Sequence, residues 1–343
     1  MSTDGPPARS RASSFAGRAR RLVTDPVGTV QRWRARTARL RRFEAGTMTW
    51  AIKISAPDDA SAARWGDMAF AADLAEALSA AGQNVRIDRL GAPAQAPADV
   101  TLVLRGLHRI APEPASINLL WVISHPDDVA DEEIALPWDR VFVASDSYAR
   151  SASWGAEPLL QASSPRRFQP GPPDPDLREE VVFVGTTRGV ERPVIRDAIA
   201  AGAKVAIYGH NWEEFVDSFY IRADHLEFAR VPAAYRSAGI VLNDHWEDMR
   251  AHGFVSNRLF DAAFVGARII SDRVPGAEEV FGGLVQSYTT RQELEALLRG
   301  EGWPSESERL ALTRRVRERH SFDARARTLI AAARAAAITA RRR

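Results

Sequence analysis

The sequence predicts an α/β protein of two doubly wound domains, and three observations carry that prediction. From residue 48 onward, short apolar runs alternate with segments of helical period. A stretch over 163–180 holds Pro165, Pro170, Pro172, Pro173 and Pro175, so it cannot be regular structure and divides the alternation in two. The stretch 240–272 reads as strand, loop, helix and strand, the unit whose loop carries the ligand in an open parallel sheet. The 343 residues suffice for two domains of ordinary size. The expected divisions are an arm over 1–47, a first domain over 48–164, a linker over 165–179, a second domain over 180–320, and a helix over 321–343 that can return to the first domain.

Composition excludes several classes of function. There is no cysteine, which removes disulfides, zinc–thiolate sites and a thiol nucleophile and fits a cytoplasmic protein. No apolar run approaches the roughly 18 residues of a membrane span. The net charge of +2 hides an asymmetry: residues 1–47 hold 11 Arg against Asp4, Asp25 and Glu44, a net of +8, leaving −6 for the rest. Residues 1–24, rich in Ser, Arg, Pro and Gly, read as disordered. Residues 27–43 read as an amphipathic helix with Val30, Trp33, Thr37, Leu40 and Phe43 on one stripe and arginines around it. Such a helix can lie on the anionic inner face of the cell membrane. The competing readings are a stripe docked on the protein itself, or translation that starts at Met48. Nucleic acid is not an expected partner, because the body is acidic and carries no nucleic-acid-binding motif.

The first half reads in order as a strand over Trp50–Ser55, a helix with Phe70, Leu74 and Leu78 on one face and Gly82 as its stop, and strands at Val85–Leu90, Val100–Leu104, Ile117–Ile123 and Arg140–Ala144. A helix is expected from Asp146 to about Trp154 and a short strand at Leu159–Ala162. Trp65-Gly66-Asp67 and Ser124-His125-Pro126 both follow strands, so both are expected at one sheet edge. Asp67 can meet an acceptor or favour a helix N-terminus. His125 can move a proton, hydrogen-bond a hydroxyl, or cap a helix. Asp174-Pro175-Asp176 in the linker reads as solvated carboxylates, and no metal site is expected.

The second half opens with the strand Val181–Val184 and the turn at Gly185. Arg188 and Arg192 follow, and either can meet a diphosphate. The strand Lys204–Tyr208 ends at Gly209-His210-Asn211-Trp212, where Trp212 can stack on a base or fill the core. After the strand Ile240–Leu242 come Asn243 and a polar loop. Gly253-Phe254-Val255-Ser256-Asn257 is expected to open a helix that Gly266 ends. Its first amides carry partial positive charge. Gly253 would allow close backbone approach, Ser256 and Asn257 add short polar groups, Arg258 supplies a planar cation that suits phosphate, and Asp261 can bind a hydroxyl. The plainer reading is a capped helix whose arginine pairs with an acid.

Four runs carry a family resemblance: Tyr235-Arg236-Ser237-Ala238-Gly239, Ile240-Val241-Leu242-Asn243, Gly253-Phe254-x-Ser256-x-Arg258-x-Phe260-Asp261-Ala262, and Gly266-Ala267-x-Ile269-Ile270-Ser271-Asp272. Together they resemble the core of the group 1 glycosyltransferases, in the branch called spore-protein (CgeB/YkvP) glycosyltransferase-like, over about 290 residues from Met48 onward. The resemblance implies two facing Rossmann-like domains, the GT-B arrangement, with a cleft between them. It implies transfer of a sugar from a nucleotide-sugar to an acceptor hydroxyl with retained configuration, and no cofactor. It places His125 facing the sugar and the base near Ala229–Pro232, hence Val231. The donor side is expected to comprise Gly185, Arg188, Arg192, Gly209, Trp212, Val231, Asn243, Gly253, Phe254, Ser256, Asn257 and Asp261. His125 and Arg258 are expected in catalysis, with Trp65, Gly66 and Asp67 on the acceptor side. The acceptor would be a glycan, lipid-linked or envelope molecule. Many members carry two glutamates eight positions apart, and here those positions hold Gly253 and Asp261. The alternatives are a nucleotide-sugar-binding module without catalysis, or an epimerase or hydrolase of similar fold.

Overall fold

The structure, a computed structural model, describes residues 46–187 and 189–342. The expectations for residues 1–24, for the amphipathic helix over 27–43 and for Arg188 lie outside the described residues.

The first domain runs β1 (Thr49–Pro57), α1 (Gly66–Ala80), β2 (Asn84–Leu90), β3 (Val100–Arg105), β4 (Ile117–Val122), α2 (Asp131–Ile134), β5 (Arg140–Val143), α3 (Asp146–Ser151) and β6 (Glu157–Pro158). Its six strands are all parallel, in the order β2-β1-β3-β4-β5-β6. All six positions of β3 and of β4 are buried, as strands covered on both faces require. The last strand pairs only through Glu157 and Pro158, earlier than the expected Leu159–Ala162.

The second domain runs β7 (Val181–Val184), α4 (Pro193–Ala200), β8 (Val205–Tyr208), β9 (Ile221–Ala223), α5 (Val231–Ser237), β10 (Ile240–Asn243), α6 (Glu247–Ala251), α7 (Asn257–Phe264), β11 (Ile269–Ser271), α8 (Ala277–Phe281), β12 (Val285–Ser287), α9 (Arg291–Leu298) and α10 (Glu306–Arg319). Its sheet is also parallel, in the order β12-β11-β10-β7-β8-β9. Strand order reverses between β1 and β3 in one sheet and between β7 and β10 in the other, and an open α/β sheet takes its ligand above such a reversal.

Two connections tie the domains together. The chain leaves the first domain at Ser163 and returns at Ser321, and the two segments lie side by side, with the Ser163 amide donating to the His320 carbonyl at 3.1 Å. The final helix, α11 (Phe322–Arg342), then packs on α1. Phe322 meets Phe70 edge-on at 4.8 Å between ring centroids. Phe322, Leu329, Ala333 and Ala337 complete the same core as Trp50, Leu74 and Trp121.

The second connection is the loop after β10. The sequence reading starts a helix at Gly253, but α7 begins at Asn257, and 247–251 form a helix of their own. This loop reaches across to the first domain. Met249 and Phe254 join Val103, Leu120, Val122 and Val143, covering the face of the first sheet that α1 and α11 leave open.

Candidate functional site

A cleft of about 450 Å³ opens between the two strand reversals. Of the sequence-predicted residues it brings together Trp65, Gly66, Asp67 and His125 from the first domain, and Gly185, Arg192, Gly209, Val231, Ser256, Asn257, Arg258 and Asp261 from the second.

Arg258, in the first turn of α7, is held from behind. Its Nε donates to the Val184 carbonyl at 3.0 Å, its Nη1 to Asn243 Oδ1 at 2.9 Å, and its guanidinium stacks 4.7 Å above the Phe183 ring. The buried Tyr235 lies beside it and favours its charged form. Burial lowers its pKa, the sign of a cation taken out of water. Among the described residues no carboxylate is ion-paired to it. Gly185 makes room for this cation, since a Cβ there would lie 2.6 Å from Arg258 Nη2. Gly209 lets β7 and β8 turn together, since its Cβ would lie 2.1 Å from the Gly185 carbonyl oxygen.

Behind Arg258 lies a buried polar network. Ser256 Oγ donates to Asn243 Oδ1 at 2.9 Å, and Asn243 Nδ2 donates to Ser271 Oγ at 2.9 Å. The Ser256 amide donates to His245 Nε2 at 3.0 Å, which assigns the imidazole proton to Nδ1, 2.6 Å from Asp272. Burial alone would raise the Asp272 pKa, but the hydrogen bonds from His245 outweigh it and hold the carboxyl below its usual range. The Ser256 amide at the helix start is therefore spent on protein.

Asp261 is buried where the domains join. Its Oδ1 accepts from Ser163 Oγ at 2.5 Å and its Oδ2 from Asn257 Nδ2 at 2.9 Å. Burial pushes its pKa up to about 8 against those two hydrogen bonds. A folded-state pKa above the ordinary 3.8 means that the folded chain keeps a proton the unfolded chain releases. The stability this group contributes is complete below about pH 4 and is lost as pH rises through about 8. Asp261→Asn should flatten that slope and leave the variant more stable than the parent above pH 8, as urea unfolding across a pH series would measure. Turning the Asn257 amide over would let the new side chain donate to Asn257 Oδ1, which is otherwise buried without a partner.

His125 follows β4 and has φ 50° and ψ 57°, a left-handed conformation that costs a non-glycine residue about 1–3 kcal/mol and clusters at functional sites. Its neighbours come from the docked loop: Asp248 Oδ2 lies 3.8 Å from Nδ1, and the Trp246 ring is 5.4 Å away.

Five expected site residues take other roles. Trp212 is 1% exposed, donates to the Gly185 carbonyl at 2.8 Å and packs on Phe183, so it is core and cannot stack on a base. Asn243 is fully buried and positions Arg258 from behind. Arg192 touches the cleft, but its guanidinium forms a two-pronged pair with Asp244, so its charge is already matched. Gly253 faces the first domain, where a Cβ would lie 2.6 Å from Ser147 Oγ. Phe254, fully buried, packs 5.4 Å from the Tyr148 ring. The last two serve domain docking, because the uncovered face of the first sheet needs an apolar partner more than the cleft needs a glycine.

The cleft also holds residues the sequence reading passed over: His210 and His225, nearly parallel with centroids 6.3 Å apart, and Tyr235 and Trp246. The turn after β8 was the available signal for His210, since Asn211 beside it has φ 64°.

Residues 190–331 match the protein family described as glycosyl transferase-like. No curated protein matches the chain. Among solved structures the chain is similar to AviGT4, a glycosyltransferase involved in avilamycin A biosynthesis, at 16% identity and a TM-score of 0.61, covering 85% of this chain and 98% of that one. It is similar to HepE of Anabaena, solved with UDP-glucose, at 9% identity and a TM-score of 0.54, covering 83% and 98%. It is similar to the T4 phage enzyme BGT, also solved with UDP-glucose, at 13% identity and a TM-score of 0.50, covering 84% and 98%. These likenesses establish the fold as GT-B, two Rossmann-like domains around a cleft.

Proposed function

We propose that this chain transfers a sugar from a nucleoside-diphosphate sugar to an acceptor hydroxyl. The observation that carries this reading is Arg258, a cation fixed at the reversal of the second sheet, without an ion-paired carboxylate among the described residues, and facing the cleft. A half-buried cation with no ion-paired carboxylate among the described residues is incompletely neutralised, and a diphosphate supplies the counter-charge. The bond to the departing diphosphate breaks with growing negative charge on oxygen, which a preorganised donor stabilises. In this reading Arg258 and the first turn of α7 meet that charge without a metal, Asp261 meets a ribose hydroxyl, and His125 contacts the sugar or the acceptor. The glycosyl transferase-like match over 190–331 supports the reaction class, and the sugar nucleotides in the solved GT-B proteins support the donor class.

Calorimetry against UDP-, GDP- and TDP-sugars tests the reading. Arg258→Ala should weaken binding or slow transfer by the worth of a charge-assisted hydrogen bond, about 1.5–3 kcal/mol, and Arg258→Lys should recover only part of it. Unchanged affinity and rate in a folded Arg258→Ala protein would assign the residue to structure. Donor binding without turnover would favour the binding module over the transferase.

A further inference from the structure

The carboxylates that line the cleft are Asp67, Asp73, Asp224 and Asp261, and all but Asp224 are held by the protein. Asp73 is paired with Arg167 at 2.8 Å, and Asp261 accepts from Ser163 and Asn257. Asp67 accepts a backbone hydrogen bond from Ser55 and packs against Gly106. Asp224 lies just after β9, is exposed, and makes no hydrogen bond or ion pair with any described residue. Arg222, two residues before it, is spent on Glu179 and on the Phe219 carbonyl.

The surroundings of Asp224 suit a flat ring. The strands β8 and β9 run side by side, and the Gly209 amide donates to the Ala223 carbonyl at 2.9 Å. His210 after β8 and Asp224-His225 after β9 therefore stand together at the ligand-binding edge of the sheet. The His210 and His225 rings are parallel to within 12°, and Leu226 and Phe228 add apolar wall beside them. In the other direction along the same edge, Gly209 packs on Gly185, and Gly185 makes room for Arg258. A ligand whose diphosphate meets Arg258 can lay its far end along this edge, against the imidazoles and beside Asp224.

We propose that the far end is guanine, so that the donor is a GDP-sugar, and that Asp224 is the residue that chooses the base. This inference rests on the glycosyl-transfer reading and names its donor. Guanine presents its N1–H and its N2 amino group side by side, two donors that the two oxygens of a carboxylate accept together. Uracil and thymine present one N–H between two carbonyl oxygens, so a carboxylate that accepts from the N–H is repelled by the oxygens beside it. Adenine and cytosine place a ring-nitrogen lone pair beside the amino group, which meets the second carboxylate oxygen with like charge. Stacking on the imidazoles supplies affinity without choice, because every base has a π face. The choice falls to the carboxylate.

Calorimetry with the full chain and free GDP, IDP, UDP and TDP tests this. The base of IDP keeps the N1–H of guanine and lacks the amino group. GDP should bind about tenfold more tightly than IDP and about 100-fold more tightly than UDP or TDP. In Asp224→Ala the preference for GDP over IDP should shrink to about twofold or less, while UDP binds at least as well as it does to the parent. His225→Ala should weaken GDP and UDP by the same factor, about tenfold. A parent that binds UDP or TDP as tightly as GDP, or an Asp224→Ala protein that keeps the parent's preference for GDP over IDP, would overturn the inference and leave glycosyl transfer standing. Failure of the parent to bind any of these nucleotides or their sugars would remove the glycosyl-transfer reading, and this inference with it.

Discussion

Asp244→Ala should cost the second domain about 3–5 kcal/mol of stability, because it strands the Arg192 guanidinium in a site where the residue is only 3% exposed. In the parent, Arg192 donates to both Asp244 oxygens, to the Thr186 carbonyl at 2.9 Å, and stacks over Phe183 at 5.1 Å. Denaturant unfolding would show the loss. A double replacement, Arg192→Met with Asp244→Leu, should recover much of it, since a buried pair exchanged for well-packed apolar groups is often neutral. That double variant also decides the role of Arg192. If Arg192 serves structure, the variant binds a sugar nucleotide about as the parent does; a drop of a hundredfold would return the arginine to the donor site.

Phe322→Ala should cost the first domain about 3–5 kcal/mol, the usual range for a buried phenylalanine. Phe322 is 1% exposed and stands edge-on to Phe70, which in turn packs against Trp121 at 5.4 Å. The helix that carries Phe322 is the last in the chain, yet the loss should appear in the domain that comes first. Calorimetric unfolding should show the transition of the first domain moving down while that of the second stays. A loss confined to the second domain would mean that α11 does not stabilise the first.

The sequence made most of the sheet order's raw material visible, for a physical reason. In a parallel sheet covered on both faces, a strand such as Val100–Arg105 or Ile117–Val122 is apolar without alternation, and such runs stand out between polar loops. Arg258, His125 and Asp67 were legible because each follows a strand end or opens a helix, where a parallel sheet exposes its ligand-binding edge, and Asp261 because it lies one turn along the helix that Arg258 opens. The misreadings share one cause: a one-dimensional pattern does not say which domain a loop packs against. Phe254 has the spacing of a helix residue but fills a gap in the other domain's sheet. Arg192 looked free because its counter-charge, Asp244, is 52 residues away. Trp212 could be given a base to stack on because its true neighbour, Phe183, lies on another strand.

The return of α11 to the first domain has a consequence for the order of events at the ribosome. In most two-domain chains the leading domain can finish folding while the trailing one is still being made. Here the apolar face of α1, with Phe70, Leu74 and Leu78, stays uncovered until Phe322, Leu329, Ala333 and Ala337 have been synthesised and have left the exit tunnel. The second domain's cores are complete by Val316, so the domain encoded last has all its core residues first. The nascent first half must wait with an open hydrophobic surface while the whole second domain is made, the situation in which a chaperone that holds unfinished chains is most needed.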